Sequence, residues 1–256
     1  MARDDNEPSI QVENLTVGYG RTIILRKVSF EVYRGQIFAI LGGSGCGKST
    51  LLKNMIGLYQ PMSGRVLIEG EDLLAARGPA RQRILRKFGV SYQTGAMFGS
   101  MTVHENVRLV LEEFTDLPRE AMDVISAMKL NLVDLADAGG KMPAELSGGM
   151  LKRAAIARAM VLDPNILFLD EPSTGLDPIT AAELDQLIVH LSRNLGITFV
   201  IVTHDLASTF AVADRVIMLD AGRVTAEGTP RELSDHSTDS WVQAFFKRQS
   251  APEDSE

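Results

Sequence analysis

Apolar positions follow two rhythms along this chain. Between residues 10 and 35, Val12, Leu15 and Val17 lead into Gly18-Tyr19-Gly20, and Ile23, Leu25, Val28, Phe30 and Val32 follow. That spacing predicts short strands joined by turns. Residues 37–41, 166–169 and 199–202 are unbroken apolar runs with the length of buried strands rather than helices. Strands are also expected at 66–68 and 88–90, with a basic helical stretch at 81–87 between them. From about 94 to 162 the period changes. Val103, Val107, Val110 and Leu111 recur at helical spacing, as do Met122, Ile125, Met128 and Leu130. Strands return at 166–169, 198–202 and 216–219, alternating with helical stretches at 178–195 and 205–213, and 222–224 is a last candidate strand. Strand alternating with helix predicts an α/β fold whose mostly parallel sheet is covered on both faces. The helical block at 94–162 reads as an insertion into that core.

Length allows one large domain, or one with an inserted lobe, since the chain has 256 residues. The 26 Lys and Arg against 33 Asp and Glu give a net charge of −7, which argues against nucleic-acid binding through bulk charge. The single cysteine, Cys46, excludes an internal disulfide framework and a multi-cysteine zinc site. The first residues lack the basic and apolar regions of a secretory signal. No apolar run approaches the roughly 18 residues that a membrane span needs. A membrane role would therefore depend on another subunit. Near the end, Trp241, Phe245 and Phe246 mark a short amphipathic stretch before a polar tail expected to fray.

Residues 42–49, Gly-Gly-Ser-Gly-Cys-Gly-Lys-Ser, match the phosphate-loop pattern between a predicted strand and a predicted helix. Glycines let the backbone wrap around phosphate oxygens, and the helix N-terminus adds about half a positive charge. The candidate nucleotide contacts are Gly42, Gly43, Ser44, Gly45, Cys46, Gly47, Lys48, Ser49 and the following Thr50. Lys48 can reach the β- and γ-phosphates, where a unit charge pair at about 4 Å is worth on the order of 4 kcal/mol. The Ser49 hydroxyl suits Mg²⁺, a hard cation. Cys46 reads as a small space-filling residue within the loop.

The apolar run 166–169 ends in Asp170-Glu171. Ligands of open parallel sheets bind at the carboxyl ends of strands, so this pair arrives at the edge that carries the phosphate loop. Asp170 can hold Mg²⁺ directly or through water, and Glu171 can orient or deprotonate an attacking water. His204 follows the next strand, where it can donate to the γ-phosphate or hold Glu171 and the water in place.

With Leu146-Ser147-Gly148-Gly149 opening a helix that carries Arg153 and Arg158, the chain resembles the ATP-binding cassette (ABC) family from about residue 10 to 228. The resemblance implies a P-loop NTPase with a RecA-like core, an N-terminal antiparallel β subdomain, an inserted helical subdomain at about 94–162, and a C-terminal extension over 229–256. It implies ATP and Mg²⁺ as ligands. Ser147, Gly148 and Gly149 would contact the γ-phosphate of a nucleotide held by a second copy, so the working unit would be a dimer. Tyr19 is similar to the family's adenine-stacking aromatic. Gln93 is similar to the glutamine that touches Mg²⁺ and links the lobe to the core. Residues 174–177, Thr-Gly-Leu-Asp, resemble the loop that crosses the dimer interface.

Met150 departs from the family pattern, which has glutamine there; methionine cannot donate an amide hydrogen bond. Leu-Ser-Gly-Gly-Met-x-Lys-Arg, residues 93–98 and the run Met101-Thr102-Val103 with Glu105, Asn106 and Val107 resemble the ATPases of Mla-type phospholipid transporters. These maintain outer-membrane lipid asymmetry, and the mammalian-cell-entry transporters are close relatives. The resemblance implies a peripheral ATPase on the cytoplasmic side of the inner membrane. Permease subunits would dock near Gln93 to Ser100, with further lipid-transport subunits beyond them. Two alternatives stand beside it: an ATPase for another solute, and a non-transport mechanochemical ATPase of the cell-division type.

Overall fold

The computed structural model describes residues 7–247. Two sheets build the molecule. Strand β1 (Pro8–Tyr19) pairs antiparallel with β2 (Thr22–Tyr33) on one side. On its other side lies β4 (Ser63–Ile68), which carries the two-residue β5 (Glu71–Asp72). The second sheet runs β10-β9-β3-β8-β7-β6. Its members are β3 (Ile37–Gly42), β6 (Phe88–Ser91), β7 (Ile166–Asp170), β8 (Thr198–Val202), β9 (Arg215–Asp220) and β10 (Arg223–Gly228). All its pairings are parallel except that of β10 with β9.

Helix α1 (Lys48–Met55) is clamped between the sheets. Its Leu51, Leu52 and Met55 share one core with Val12 and Leu15 of the first sheet and with Phe38, Ile40 and Phe168 of the second. The alternate residues Ile37, Leu167, Leu169 and Phe199 face the opposite way, into a second core. Both faces of β3, β7 and β8 are thus buried, which is why their sequences are apolar without alternation. Helix α2 (Gly78–Leu85) lies before β6.

The second core joins the sheet to a helical lobe of α3 (Val103–Phe114), α4 (Arg119–Leu132) and α5 (Gly148–Ala159). A capping box fixes the start of α3. The Thr102 hydroxyl accepts from the Glu105 N–H, and the Glu105 carboxylate accepts from the Thr102 N–H. Helix α6 (Pro178–Leu195) is capped by Asp177 and stops at Gly196, while α7 (Leu206–Val212) is capped by Asp205. Helices α8 (Pro230–His236) and α9 (Ser240–Lys247) close the described chain. Val242 is fully buried in a third core with Ala39, Leu41, Val216 and Met218, so α9 packs on its own chain's sheet. The polar tail from residue 248 lies outside the described residues.

Two stretches differ from the sequence expectation. Residues 10–35 form two 12-residue strands rather than several short ones. Register shifts between Val12 and Leu15 and between Leu15 and Val17 break the two-residue rhythm, so one bulged strand imitates separate pieces. The helical rhythm begins only at Val103. Before it, Gly95 and Ala96 take left-handed backbone conformations (φ 71° and 47°) that a helix cannot contain. No helix among the described residues is long and apolar enough to cross a membrane.

Asp185, on α6, is a buried carboxylate pushed up to about 6, chiefly by burial, with the Ser208 hydroxyl opposing the shift and Asp205 adding to it. Because its folded value lies above the unfolded one, ionisation costs stability progressively as pH rises from about 4 to about 6, and the whole cost is present above that. The shift bounds the effect at roughly 3 kcal/mol, and solvent screening reduces it to about 1–2 kcal/mol. Asp185→Asn should therefore stabilise the protein by that amount at pH 8 and by much less near pH 4; urea denaturation at both pH values checks the difference.

Candidate nucleotide site

Strand β3 delivers the chain to Gly42, and α1 starts six residues later at Lys48. Gly47 caps the helix at φ 104°, a conformation that L side chains rarely adopt, and a Cβ there would lie 2.7 Å from Ile24 Cγ2. The Lys48 ammonium is buried and donates to the carbonyls of Gly42 (2.9 Å) and Gly43 (3.0 Å). It therefore sits at the centre of the loop, where a phosphate would replace those carbonyl contacts. Cys46 is partly buried against the core between the sheets, and burial pushes its thiol up. It fills space and contributes backbone to the loop. Tyr19 is half exposed; its hydroxyl lies 3.2 Å from Thr50 Oγ1, and its ring meets Tyr59 edge-on.

Across from the loop, Asp170 ends β7. The Ser49 hydroxyl donates to its Oδ1 at 3.1 Å. Burial pushes this carboxyl up, while the Ser49 hydrogen bond and the Lys53 and Lys48 charges pull the other way. A hydroxyl and a carboxylate already in contact form a hard-oxygen donor pair of the kind Mg²⁺ takes when phosphate oxygens and water complete its shell. The residues present therefore fit that ion.

Glu171 has a left-handed backbone, φ 50°. Its N–H donates to the Val202 carbonyl at 2.8 Å. Its carboxylate accepts from the Thr174 hydroxyl at 3.0 Å and lies 2.9 Å from His204 Nδ1. The carboxylate is buried while the His204 side chain is 59% exposed, so the pair spans from core to cleft.

Gly43, Ser44, Gly45, Gly47, Lys48, Ser49, Thr50, Gln93, Glu171 and His204 line one open cleft of about 590 Å³ with Ile24 and Phe245, while Tyr19, Gly42, Cys46 and Asp170 are not among its lining residues. Phe245 was invisible to motif reading, because it reaches the cleft from α9, far along the chain. Thr174, read as an interface residue, also touches Glu171. Ser147, Gly148 and Gly149 do not line the cleft. They form the N-terminus of α5, with Ser147 accepting from the Met150 N–H at 3.3 Å and with Ser147 and Gly148 exposed. Gly149 is buried beside α6, and a Cβ there would lie 2.4 Å from Thr180 Cγ2, so close helix packing requires glycine. Met150, in place of the expected glutamine, packs against the second core.

A glycine loop at a strand-to-helix junction, a carboxylate pair at the end of β7, two strands away in the sheet, and a helix N-terminus outside the cleft define a nucleotide-hydrolysing α/β cassette. Residues 25–174 match the ABC transporter family model, and the chain belongs to that family. It is 38% identical over 245 residues to the intermembrane phospholipid transport system ATP-binding protein MlaF of Haemophilus influenzae, covering 96% of this chain and 92% of that one. Against MlaF of Escherichia coli it is 38% identical, covering 88% and 83%. It is also 39% identical to the probable ribonucleotide transport ATP-binding protein mkl of Mycobacterium leprae, covering 93% and 68%. Among solved structures, cbiO1 of Clostridium perfringens, part of an ABC transporter complex, superposes with a TM-score of 0.81 at 32% identity, covering 89% of this chain and 90% of that one. The cassette MJ0796, as a post-hydrolysis dimer bound to ADP and Pi, gives 0.77 at 29% identity, covering 87% and 99%. The chain is thus an ABC ATPase homologous to MlaF.

Gly47→Ala should destabilise the fold by about 1–3 kcal/mol, since it combines a forbidden φ with a contact on Ile24. It should also weaken ATP binding, because the loop would have to shift. Denaturant midpoints and calorimetric ATP affinity measure the two effects separately.

Proposed function

We propose that the chain drives phospholipid transport between membranes, maintaining outer-membrane lipid asymmetry, as the ATPase subunit of a membrane complex. Two copies would pair face to face. Permease subunits would hold them to the cytoplasmic side of the inner membrane, docking near residues 93–100, with further lipid-transport subunits beyond. The cassette would occupy residues 10–228, with a helical insertion over about 94–162 and an extension from 229.

The observation that carries the dimer is the separation within one chain. The exposed α5 N-terminus offers an anion site that its own cleft does not use. A second copy brings Ser147, Gly148 and Gly149 to the γ-phosphate of the first. The dimeric state named for MJ0796 supports this reading. The lipid assignment rests on the names of the MlaF relatives. The name of the mkl relative favours a second reading, a transporter for another solute. Purifying the intact complex and identifying its bound molecules by mass spectrometry separates the two, and a permease without lipid would overturn the first.

The reaction is ATP + H₂O → ADP + phosphate, in which positioning and charge stabilisation dominate. Tyr19 stacks on adenine. The loop amides of residues 42–47 and Lys48 grip the phosphates, with Ser49 and Thr50 at the head of α1. Ser49, Asp170 and Gln93 would hold Mg²⁺, which when bound neutralises charge on the phosphate oxygens. Glu171 orients and deprotonates the attacking water, and His204 holds Glu171 and reaches toward the γ-phosphate.

Glu171→Gln should retain ATP binding and lose turnover by about 10²–10⁴. Steady-state ATPase assays near the wild-type rate would remove Glu171 from this role. Lys48→Ala should weaken ATP binding, and calorimetry showing unchanged affinity would overturn its assignment.

A further inference from the structure

Lys152 lies just inside α5 and is almost wholly buried, at 8% exposure. Its ammonium donates to two backbone carbonyls from different parts of the cleft, Gln93 at 2.5 Å and Glu171 at 3.2 Å. Neither bond is with a carboxylate. Burial pulls the pKa of this ammonium down, and the nearby Glu171 and Asp170 charges oppose that shift. A cation placed in such a position costs desolvation, and the two carbonyls and the neighbouring acidic charges are what offset it.

The Glu171 end of this bridge is unusual. A non-glycine residue at φ 50° is strained and persists only where its surroundings over-determine it. Five contacts do so. The N–H donates to the Val202 carbonyl, the carboxylate binds the Thr174 hydroxyl and His204, and the carbonyl accepts from the Thr174 N–H and from Lys152. Of these five, the Lys152 contact is the one supplied by the helical lobe. Its helix begins at Ser147, about 7–8 Å away along the axis at the rise of an α-helix. Arg158, further along α5, donates to the carbonyls of Gly95 and Ala96. The lobe therefore grips residues 93–96 through two cations, of which only Lys152 also holds Glu171.

We propose that Lys152 is a positioning residue for hydrolysis, tying the signature-bearing helix to the backbone of both Gln93 and Glu171 so that the carboxylate of Glu171 faces the water only when the lobe is seated. This rests on the reading of Glu171 as the water-activating carboxylate. Lys152 does not touch the nucleotide cleft, so its loss acts on turnover and not on ATP affinity. A displacement of α5 at its exposed end reaches Glu171 through one rigid helix and one ammonium.

The test uses the full-length chain as wild type, Lys152→Met, Lys152→Gln and Glu171→Gln, with kcat and KM for ATP, calorimetric ATP affinity and thermal midpoint measured for each. Lys152→Met keeps the apolar stem and removes the donor. It should lower kcat by roughly 10- to 100-fold, as expected for a misplaced catalytic group, while KM and Kd stay within about twofold. Lys152→Gln keeps an N–H donor on a shorter arm and should recover several-fold over Lys152→Met. A merely structural lysine would lower the midpoint without this kcat-against-KM split or the recovery by glutamine. Wild-type kcat in Lys152→Met, a parallel loss of ATP affinity, or glutamine no better than methionine would overturn the proposal. If Lys152→Met does not fold, Lys152→Gln against wild type reads the same split. A Glu171→Gln variant that still turns over would remove the underlying reading. An inactive Glu171→Gln beside a fully active Lys152→Met would overturn the Lys152 inference alone.

Discussion

The parallel register of β3, β8 and β7 is the constraint on which the site depends. Ile40 pairs with Val202, and Val202 pairs with Asp170. Three chain segments therefore leave the sheet at one edge, carrying the phosphate loop, the carboxylate pair and His204. Shifting any of these strands by one residue would exchange its two buried faces, because Phe168 and Leu169 point into different cores. Packing on both sides of the sheet thereby sets the geometry of the cleft.

Around that edge, polar groups hold one another. Lys48 rests on loop carbonyls, Ser49 on Asp170, and Glu171 between Thr174 and His204. Such mutual hydrogen bonding fixes the side chains of the cleft relative to one another. The buried Asp170 and the left-handed Glu171 cost stability in the folded chain, and the apolar cores on either side of the sheet offset that cost.

The helical lobe is joined to the sheet by a shared apolar core and to the cleft by a few long cationic side chains. The same lobe carries the exposed α5 N-terminus, which does not line the cleft of its own chain.

Local features were legible in the sequence alone: the glycine loop between strand and helix, the Asp170-Glu171 pair after an apolar strand, the serine-glycine helix start at 147–149, and a helical stretch at 178–195. Each depends on residues adjacent in the chain, where spacing translates directly into geometry. The long bulged β1 and β2 were less legible, because their register shifts erase the alternation that marks a strand. Only the tertiary structure decided that Phe245 borders the cleft, that α9 packs on its own sheet, and that Lys152 meets Gln93 and Glu171 across 59 and 19 residues of chain. Such contacts arise from how elements stack, and no periodicity along the chain encodes which distant carbonyl a buried ammonium will find.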